Sequence, residues 1–323
     1  MAKREITIVI PVYNEKENVE NTVRVLREEL ANLENKYKFK ILFSDNCSTD
    51  GTFEIIKKIA EDDADIAGIK LARNYGFQKS LLTAYRHVKS DAAIQMDCDL
   101  QDPPSVIPRF IEQWERGHDV VVGIREARDE NFVLQKCRQI FYKLVNQISN
   151  TTNLDNAGDF RLVDRTVIRR LNGVKDSNPY TRGLISSLAA NETGVPYSRP
   201  RRVFGHSKFP ILKLLPLAID GLVSNSLVPL RCAVWLGLFL FLFAGVLFIY
   251  FIYNHFFGEN LWPRGYASTV VLLTLSMAAN SLLVGVVGEY VGRIFDEVRV
   301  RPLTIVMETV NSPLQEEKKI RSN

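Results

Sequence analysis

The stretch AAIQMDCDLQDPP, residues 92–104, decides the fold of this 323-residue chain. Its apolar first half is typical of a buried β-strand, and Pro103-Pro104 ends that strand sharply. Asp97 and Asp99 follow two residues apart, so their carboxylates point to the same side of the sheet. Paired carboxylates hold a hard divalent cation and leave room for phosphate oxygens. The stretch therefore predicts a ligand site at the carboxyl end of a strand, with an acidic solvated loop as the alternative.

Short apolar, β-branched runs alternate with helical patterns along the first 150 residues. Such runs are typical of buried parallel strands, and the alternation predicts an α/β fold with a mostly parallel, Rossmann-like sheet. Asn14 and Glu17 are predicted to form a capping box at the start of the first helix, which ends near Leu33. The predicted strands are 6–10, 39–44, 66–71, 92–96 and 119–124. The later predicted helices include 77–88, 106–114 and 128–150.

Two uncharged apolar stretches, 232–254 and 265–288, indicate a membrane protein. Each exceeds the roughly 20 residues that cross a bilayer, which predicts two transmembrane helices rather than two buried core helices. The amphipathic residues 207–227 precede them and are expected at the membrane interface, with a plain surface helix as the alternative. Basic residues flank the pair on both outer sides and are expected in the cytoplasm. They are Arg199, Arg201, Arg202, Lys208, Lys213 and Arg231, then Arg293, Arg299 and Arg301.

The chain is thus predicted to be an integral protein of the inner or plasma membrane with both termini in the cytoplasm. The expected regions are a cytoplasmic α/β domain, interfacial helices, a transmembrane region and a cytoplasmic tail, over 1–206, 207–230, 231–292 and 293–323. No signal peptide is expected. Four cysteines without metal-ligand spacing are predicted to be reduced thiols. A net charge of +4 without a basic stripe argues against nucleic acid as a partner.

Polar residues follow each predicted strand, at ends that meet along one edge of an open α/β sheet. They are Pro11, Tyr13, Asn14 and Glu15, then Asp45, then Arg73 and Asn74, then Asp97, Asp99 and Gln101, then Arg125. Together they predict a nucleoside-diphosphate site with a metal and with cations for phosphate. The sequence has no G-x-G-x-x-G or P-loop motif, which argues against dinucleotide and ATP sites.

Five motifs are shared with a known family. They are IPVYNE (10–15), SDNCSTDGT (44–52), RNYG (73–76), DCDLQDPP (97–104) and AGDFRLVDR (157–165). The chain resembles the family 2 glycosyltransferases of GT-A fold. Within them it resembles the polyprenyl-phosphate glycosyltransferases, a group that includes dolichol-phosphate mannose synthase and the bactoprenol glucosyltransferases. RVFGHSKF (202–209), Pro229-Leu230-Arg231 and GEYVGR (288–293) match that subfamily as well.

The resemblance implies inverting, metal-dependent transfer of a sugar from a nucleotide sugar, with UDP-glucose expected, to undecaprenyl or dolichyl phosphate at the cytoplasmic face of the bilayer. Mg²⁺ or Mn²⁺ is the implied cofactor. By resemblance, Asp159 is the catalytic residue, as a base or an orienting group, with a structural salt bridge to Arg161 or Arg165 as the alternative. The implied nucleotide-binding residues are Pro11, Tyr13, Glu15, Asp45 and Asp97, and the implied metal ligands are Asp97, Asp99 and Gln101. The implied phosphate- and acceptor-binding residues are Arg125, Arg128, Lys136, Arg138, Arg202 and Lys208.

Two positions depart from the family pattern. Asp45-Asn46-Cys47 replaces a common Asp-Asp-Gly, and 134–138 lacks the Ser or Thr that relatives place after a basic residue for the acceptor phosphate. Two other functions stay open at this point. A processive polysaccharide synthase would carry a Q-x-x-R-W segment, which the sequence lacks, and a non-catalytic membrane scaffold or lipid-sugar carrier would have lost its site residues. Assembly as a homo-oligomer is also left open.

Overall fold

The computed structural model describes residues 3–125, 157–174, 176, 179–198, 265–298 and 302–311, with scattered positions between 235 and 257. These residues fall into two compact units. The first comprises the described residues up to 198 together with 302–311, and the second comprises those from 235 to 298. The predicted helix 128–150, the interfacial segment 207–230 and the boundary between 206 and 207 lie outside the described residues.

Eight β-strands form the centre of the first unit. They are β1 (Arg4–Val12), β2 (Tyr37–Asp45), β3 (Ile66–Leu71), β4 (Ala92–Gln95), β5 (Val120–Arg125), β6 (Ala157–Asp164), β7 (Glu192–Tyr197) and β8 (Val306–Val310). Their order in the single sheet is β7-β5-β6-β4-β1-β2-β3-β8. Six strands run in one direction, whereas β6 and β8 are antiparallel to their neighbours. This mixed, mostly parallel sheet confirms the predicted α/β class.

Six helices cover the two faces of the sheet. They are α1 (Val19–Leu30), α2 (Thr52–Asp62), α3 (Phe77–Arg86), α4 (Ile107–Glu115), α5 (Arg165–Asn172) and α6 (Thr181–Leu188). Helices α1, α2 and α4 bury one apolar core, and α3, α5 and α6 bury the other. In β1, Ile8 faces the first core and Val9 the second, because successive side chains point to opposite faces. Each such fully buried side chain stabilises the fold by roughly 1.5–3 kcal/mol.

The five predicted strands are confirmed, each within two residues of its observed bounds. The predicted capping box is wrong. Helix α1 begins at Val19, and Asn18 precedes it without a side-chain cap. Asn14 instead adopts a left-handed backbone (φ 55°) and accepts the N–H of Thr49 at 2.9 Å, so its side chain ties two loops together. No strand or helix was predicted between residues 150 and 206, whereas the structure has β6, α5, α6 and β7 there.

One long apolar helix, α7 (Tyr266–Val298), lies in the second unit. Its segment Ser268–Gly292 has 25 residues and a mean hydropathy of 2.2, which is long and apolar enough to cross a membrane. Of the predicted pair, 232–254 is described only at scattered positions, which include a shorter apolar helical stretch at Gly237–Leu247. The described residues therefore contain one helix that could span a membrane, rather than the two predicted.

The last described strand, β8, covers the outer edge of β3. It pairs antiparallel from Gly68 opposite Val310 to Leu71 opposite Val306. Asn311 follows it with a left-handed backbone (φ 49°), and its amide donates to the carbonyl of Ile66 at 3.0 Å. The sequence assigned these residues only to a C-terminal tail and gave no sign of a strand. The chain after α7 thus completes the sheet of the first unit.

Replacing Asn311 by alanine should loosen β8. The substitution removes the amide bonds to the carbonyls of Ile66 and Ala60, worth about 1 kcal/mol each, and places a Cβ-bearing residue without a polar side chain in a left-handed backbone. We expect amide hydrogen exchange in 306–310 to accelerate roughly tenfold or more in the full chain. Asn311→Gly tolerates the backbone and should accelerate exchange less. Unchanged exchange in Asn311→Ala would contradict this account of the edge.

Candidate active site

The loops after β1, β2 and β4 meet at the carboxyl edge of the sheet, where α/β proteins bind ligands. One non-glycine residue in each loop has a left-handed backbone, namely Asn14 (φ 55°), Cys47 (φ 66°) and Leu100 (φ 54°). Among the described residues, Asn311 is the only other non-glycine residue with positive φ. Such backbone is uncommon and clusters at functional sites, so the strain marks this edge as the candidate site.

The acidic motif alternates in burial as its spacing predicts. Asp97 and Asp99 are half-buried, whereas Cys98 between them is 3% exposed and packs in the core. The hydroxyl of Thr22 in α1 donates to the Cys98 carbonyl at 2.7 Å and fixes the loop to that helix. Burial raises the pKa of the Cys98 thiol to about 12, so this cysteine is a packing residue. Asp97 and Asp99, on either side of it, are more exposed than Cys98.

Asp97, Asp99 and Gln101 fit a hard divalent cation by their chemistry, since carboxylate and amide oxygens are the ligands that Mg²⁺ and Mn²⁺ prefer. The Gln101 backbone N–H donates to the Asp99 carboxylate at 3.1 Å, which orients that group. Within the described parts of the chain, no cluster of three or more His, Cys, Asp or Glu side chains could hold a metal. A cation at the acidic motif would therefore need oxygens from a bound ligand or water to complete its coordination.

The loops after β1 and β2 are hydrogen-bonded to each other. The Asn14 N–H donates to the Ser48 hydroxyl at 2.9 Å, and the Glu15 N–H donates to the Thr52 hydroxyl at 3.0 Å. Asp45 is fully buried beneath them and accepts the N–H and hydroxyl of Ser48. Burial raises the pKa of Asp45, and the bonds from Ser48 oppose that rise. Asp45 therefore shapes the loop from inside.

Two of the other residues predicted to bind nucleotide lie nearer the surface. Tyr13 is 48% exposed beyond the end of β1, and Glu15 is half-buried. Pro11 lies in β1 itself, paired with Ser44 of β2. These three residues lie at or beyond the end of β1, and the acidic motif follows β4, its neighbour in the sheet. The arrangement brings the predicted nucleoside and metal residues to the same edge.

Asn46, where the family often has aspartate, joins the loop after β2 to the loop after β3. Its side-chain N–H donates to Asn74 Oδ1 at 2.8 Å, and its Oδ1 accepts the Tyr75 N–H at 2.9 Å. Asn74 Oδ1 also accepts the Gly76 N–H at 2.9 Å. If the Asn74 amide flipped, its oxygen would lose the hydrogen bond from Gly76. Asn74 therefore presents an acceptor to residue 46, which must supply a donor. An amide supplies that donor and a carboxylate does not.

Asp159 forms a two-pronged ion pair with Arg182 at the start of α6. Arg182 Nε and Nη2 lie 3.1 and 2.8 Å from the two carboxylate oxygens. The alternative interpretation named Arg161 or Arg165 as the salt-bridge partner, and the structure corrects it to Arg182. Arg165 lies 3.5 Å from Asp91 instead. The pair is about one quarter exposed, so the carboxylate is reachable but already occupied by a guanidinium.

Arg161 supports this pair from beneath. Its side chain is 1% exposed and donates to the backbone carbonyls of Gly158 at 3.0 Å and Arg182 at 3.3 Å. Its Nε has no hydrogen-bond partner among the described residues. Burial lowers the pKa of Arg161. A buried cation therefore fixes the backbone of β6 and α6 on either side of the Asp159–Arg182 pair.

The sheet register places Asp159 beside the acidic motif. β6 runs antiparallel to β4, and the last paired residues are Gln95 and Arg161. Continuing that register by two residues brings Asp97 opposite Asp159. Arg125, at the end of β5, lies against Gly158 on the other side, where an added Cβ would come within 3.3 Å of its Nε. The structure thus brings Arg125 against Gly158, and the extended register directs Asp159 toward the acidic motif.

The remaining predicted phosphate- and acceptor-binding residues lie outside the described residues. They are Arg128, Lys136, Arg138, Arg202 and Lys208. The sequence also missed three side chains of the site, namely Asp102, Arg182 and Tyr197. Asp102 closes the acidic motif and so carried a local signal. Arg182 and Tyr197 carried none, because their roles depend on contacts with residues 23 and 95 positions away.

The chain matches a known protein family. The family model described as glycosyl transferase family 2 matches residues 7–171, which span the sheet from β1 through β6 and the acidic motif. The chain belongs to glycosyltransferase family 2. The matched residues include the acidic motif, which follows the central strand β4 of the mixed, mostly parallel sheet. The protein is therefore a glycosyltransferase.

Two relatives align with this glycosyltransferase over 94% of its length. The SfII prophage-derived bactoprenol glucosyl transferase of Shigella flexneri is 36% identical, and 98% of that protein is covered. An uncharacterised glycosyltransferase of Bacillus subtilis, YkcC, is 34% identical, with 94% covered. Among solved structures, the mannosyltransferase PcManGT from Pyrobaculum calidifontis, in complex with GDP-Man and Mn²⁺, is 17% identical, with a TM-score of 0.45 and 88% of each chain covered.

Replacing Asn46 of this glycosyltransferase by aspartate should destabilise the loops at the site. The new carboxylate would face Asn74 Oδ1 across 2.8 Å without a donor, at a cost of about 1–3 kcal/mol. We expect faster amide exchange at Tyr75 and Gly76 at neutral pH. The effect should shrink as the pH falls toward about 4, since a protonated carboxyl regains a donor. Equal exchange in the variant and the wild type would contradict the requirement for an amide.

Proposed function

We propose that this glycosyltransferase transfers a sugar from a nucleotide sugar, with UDP-glucose as the expected donor, to a polyprenyl phosphate such as undecaprenyl phosphate. The observation that carries the proposal is the 36% identity, over 94% of the chain, to a relative named bactoprenol glucosyl transferase. A match of that extent covers the acidic motif and reaches into α7. The proposed donor site and α7 both lie within that aligned length, which supports the proposal.

The donor would bind across the loops after β1, β2 and β4. Asp97, Asp99 and Gln101 would hold Mg²⁺ or Mn²⁺, which when bound neutralises charge on the leaving nucleoside diphosphate as a Lewis acid. Pro11, Tyr13 and Glu15 would contact the nucleoside, with Asp45 holding the neighbouring loop after β2 from inside. Arg125 would contact the diphosphate, since a guanidinium matches phosphate oxygens with two parallel donors.

The proposed reaction is a single displacement. The acceptor phosphate has a second pKa near ~6 and is largely dianionic at neutral pH, so it needs no base to become a nucleophile. Its oxygen forms a bond to C1 of the sugar as the bond from C1 to the diphosphate oxygen breaks, and the electron pair leaves with the nucleoside diphosphate. The anomeric centre inverts, so an α-linked donor gives a β-linked product. The two-pronged pair with Arg182 supports an orienting role for Asp159, because both carboxylate oxygens already accept hydrogen bonds.

The proposed membrane arrangement rests on the sequence and on α7. The apolar helix α7 would anchor the chain, with 207–230 at the interface. Regions 1–206 and 293–323 would face the cytoplasm, where nucleotide sugars are available. Five cations are proposed to bind the acceptor phosphate: Arg128, Lys136, Arg138, Arg202 and Lys208. Bringing two anionic substrates together requires such cations.

The purified full chain, given undecaprenyl phosphate and a panel of nucleotide sugars with Mg²⁺ or Mn²⁺, should form one glycosylated lipid, detected with labelled sugar. Exhaustive chelation should abolish the product, and Asp99→Ala should lower turnover by about 100-fold or more. Asp62→Ala removes an exposed carboxylate at the end of α2 and should retain full turnover. Full activity after chelation would exclude the metal role. Failure of every donor would overturn the proposed function.

Asp159→Asn should lower turnover by about 100-fold while leaving the pH–rate profile unchanged in shape, because it disturbs positioning rather than proton transfer. Arg182→Lys keeps the positive charge but cannot donate two parallel hydrogen bonds to Asp159, and it should lower turnover less than Asp159→Asn. Both profiles are measured across about pH 5 to 9 with the same donor, a range that covers the titration of a catalytic base tuned to neutral pH. Disappearance of a limb of the wild-type profile in Asp159→Asn would instead identify Asp159 as a general base.

A further inference from the structure

Three side chains from separate elements form a polar cluster behind the acidic motif. Asp102 follows β4, Arg125 ends β5 and Tyr197 ends β7. The Tyr197 hydroxyl donates to Asp102 Oδ1 at 2.6 Å and accepts from Arg125 Nε at 3.2 Å. Arg125 Nη2 lies 3.8 Å from the same Asp102 oxygen. One tyrosine hydroxyl thus links a carboxylate to a guanidinium.

The exposure of the three side chains increases from Asp102 to Arg125. Asp102 is 0% exposed and Tyr197 is 3% exposed, whereas the side chain of Arg125 is 35% exposed. The guanidinium lies against Gly158, where an added Cβ would meet Arg125 Nε at 3.3 Å and Nη2 at 3.4 Å. Gly158 directly precedes Asp159. The cluster therefore fixes the Nε side of the Arg125 guanidinium. Part of the guanidinium stays accessible to solvent near Gly158, the residue before Asp159.

The charges of the cluster also favour a fixed cation. Burial alone would lower the pKa of Arg125, but Tyr197, Asp102 and Asp97 together raise it. Burial, with Asp102 beside it, raises the pKa of Tyr197, so its hydroxyl stays protonated and donates. A fully buried carboxylate is costly unless hydrogen bonds and a cation compensate it. Asp102 has both, at the end of the motif that would hold the metal.

We propose that Asp102 and Tyr197 are positioning residues that fix the guanidinium of Arg125 for the diphosphate of the donor. This inference rests on the proposed function and adds to it the buried groups that set affinity for the donor. An arginine held at Nε presents its remaining N–H groups in one orientation, which lowers the entropy lost on binding phosphate. A mobile surface arginine would give the charge without that orientation.

A double-mutant cycle tests the inference in the full chain in detergent, with UDP and Mn²⁺ as the calorimetric probe and inorganic pyrophosphate as a second probe. Tyr197→Phe removes one hydroxyl and should weaken UDP binding about tenfold, as should Arg125→Lys. Both substitutions act through the Arg125 guanidinium, so the double variant should bind UDP no more weakly than Arg125→Lys alone. Asp102→Asn should weaken UDP binding as Tyr197→Phe does.

In transfer assays the KM for the donor should rise about tenfold in Tyr197→Phe, with kcat changed less than about threefold.

Tyr37→Phe is the matched control. Tyr37 is also buried, its hydroxyl donates to Glu115, and Lys36 lies 2.5 Å from that carboxylate, but the group is at the opposite end of the sheet. It should leave UDP affinity unchanged. Wild-type affinity in Tyr197→Phe, or additive losses in the double variant, would overturn the inference while leaving the proposed function intact. If the wild type binds neither probe and transfers no sugar, the proposed function fails and the inference fails with it.

Discussion

The antiparallel insertion of β6 between β4 and β5 is the constraint on which the candidate site depends. Parallel strands all present their carboxyl ends to one edge, whereas β6 presents its amino end there. Residues from the start of β6 therefore meet residues from the ends of its two neighbours. This reversal places Gly158 beside Arg125 and directs Asp159 toward the acidic motif, although these groups are distant in sequence.

Most described charges at this edge are fixed by partners before any ligand binds. Ser48 binds Asp45, Arg182 binds Asp159, and Tyr197 joins Asp102 to Arg125. Each pairing limits side-chain motion at a group expected to meet phosphate or sugar. A site arranged in this way needs little reorganisation when charge develops, which is the main electrostatic contribution of enzymes to such reactions.

The sequence was sufficient for the part of the fold that repeats one local pattern. β1 to β5 are apolar runs bounded by turn residues, and each was found within two residues. β6 was missed because Arg161 interrupts its apolar pattern, and only the surrounding backbone carbonyls make that buried cation acceptable. The acidic motif was predictable because its two carboxylates are local. The partner of Asp159 was not, since tertiary packing alone selects Arg182 over the nearer Arg161 and Arg165.

The pairing of β8 with β3 has a consequence for biosynthesis. β3 ends at Leu71, but its outer edge gains a partner only when Val306–Val310 have left the ribosome. At about 5 to 20 residues per second, that interval is roughly 10 to 50 seconds. During translation the nascent chain carries an open strand edge able to pair with other chains. Its maturation thus depends on whatever shields that edge until the last segment emerges.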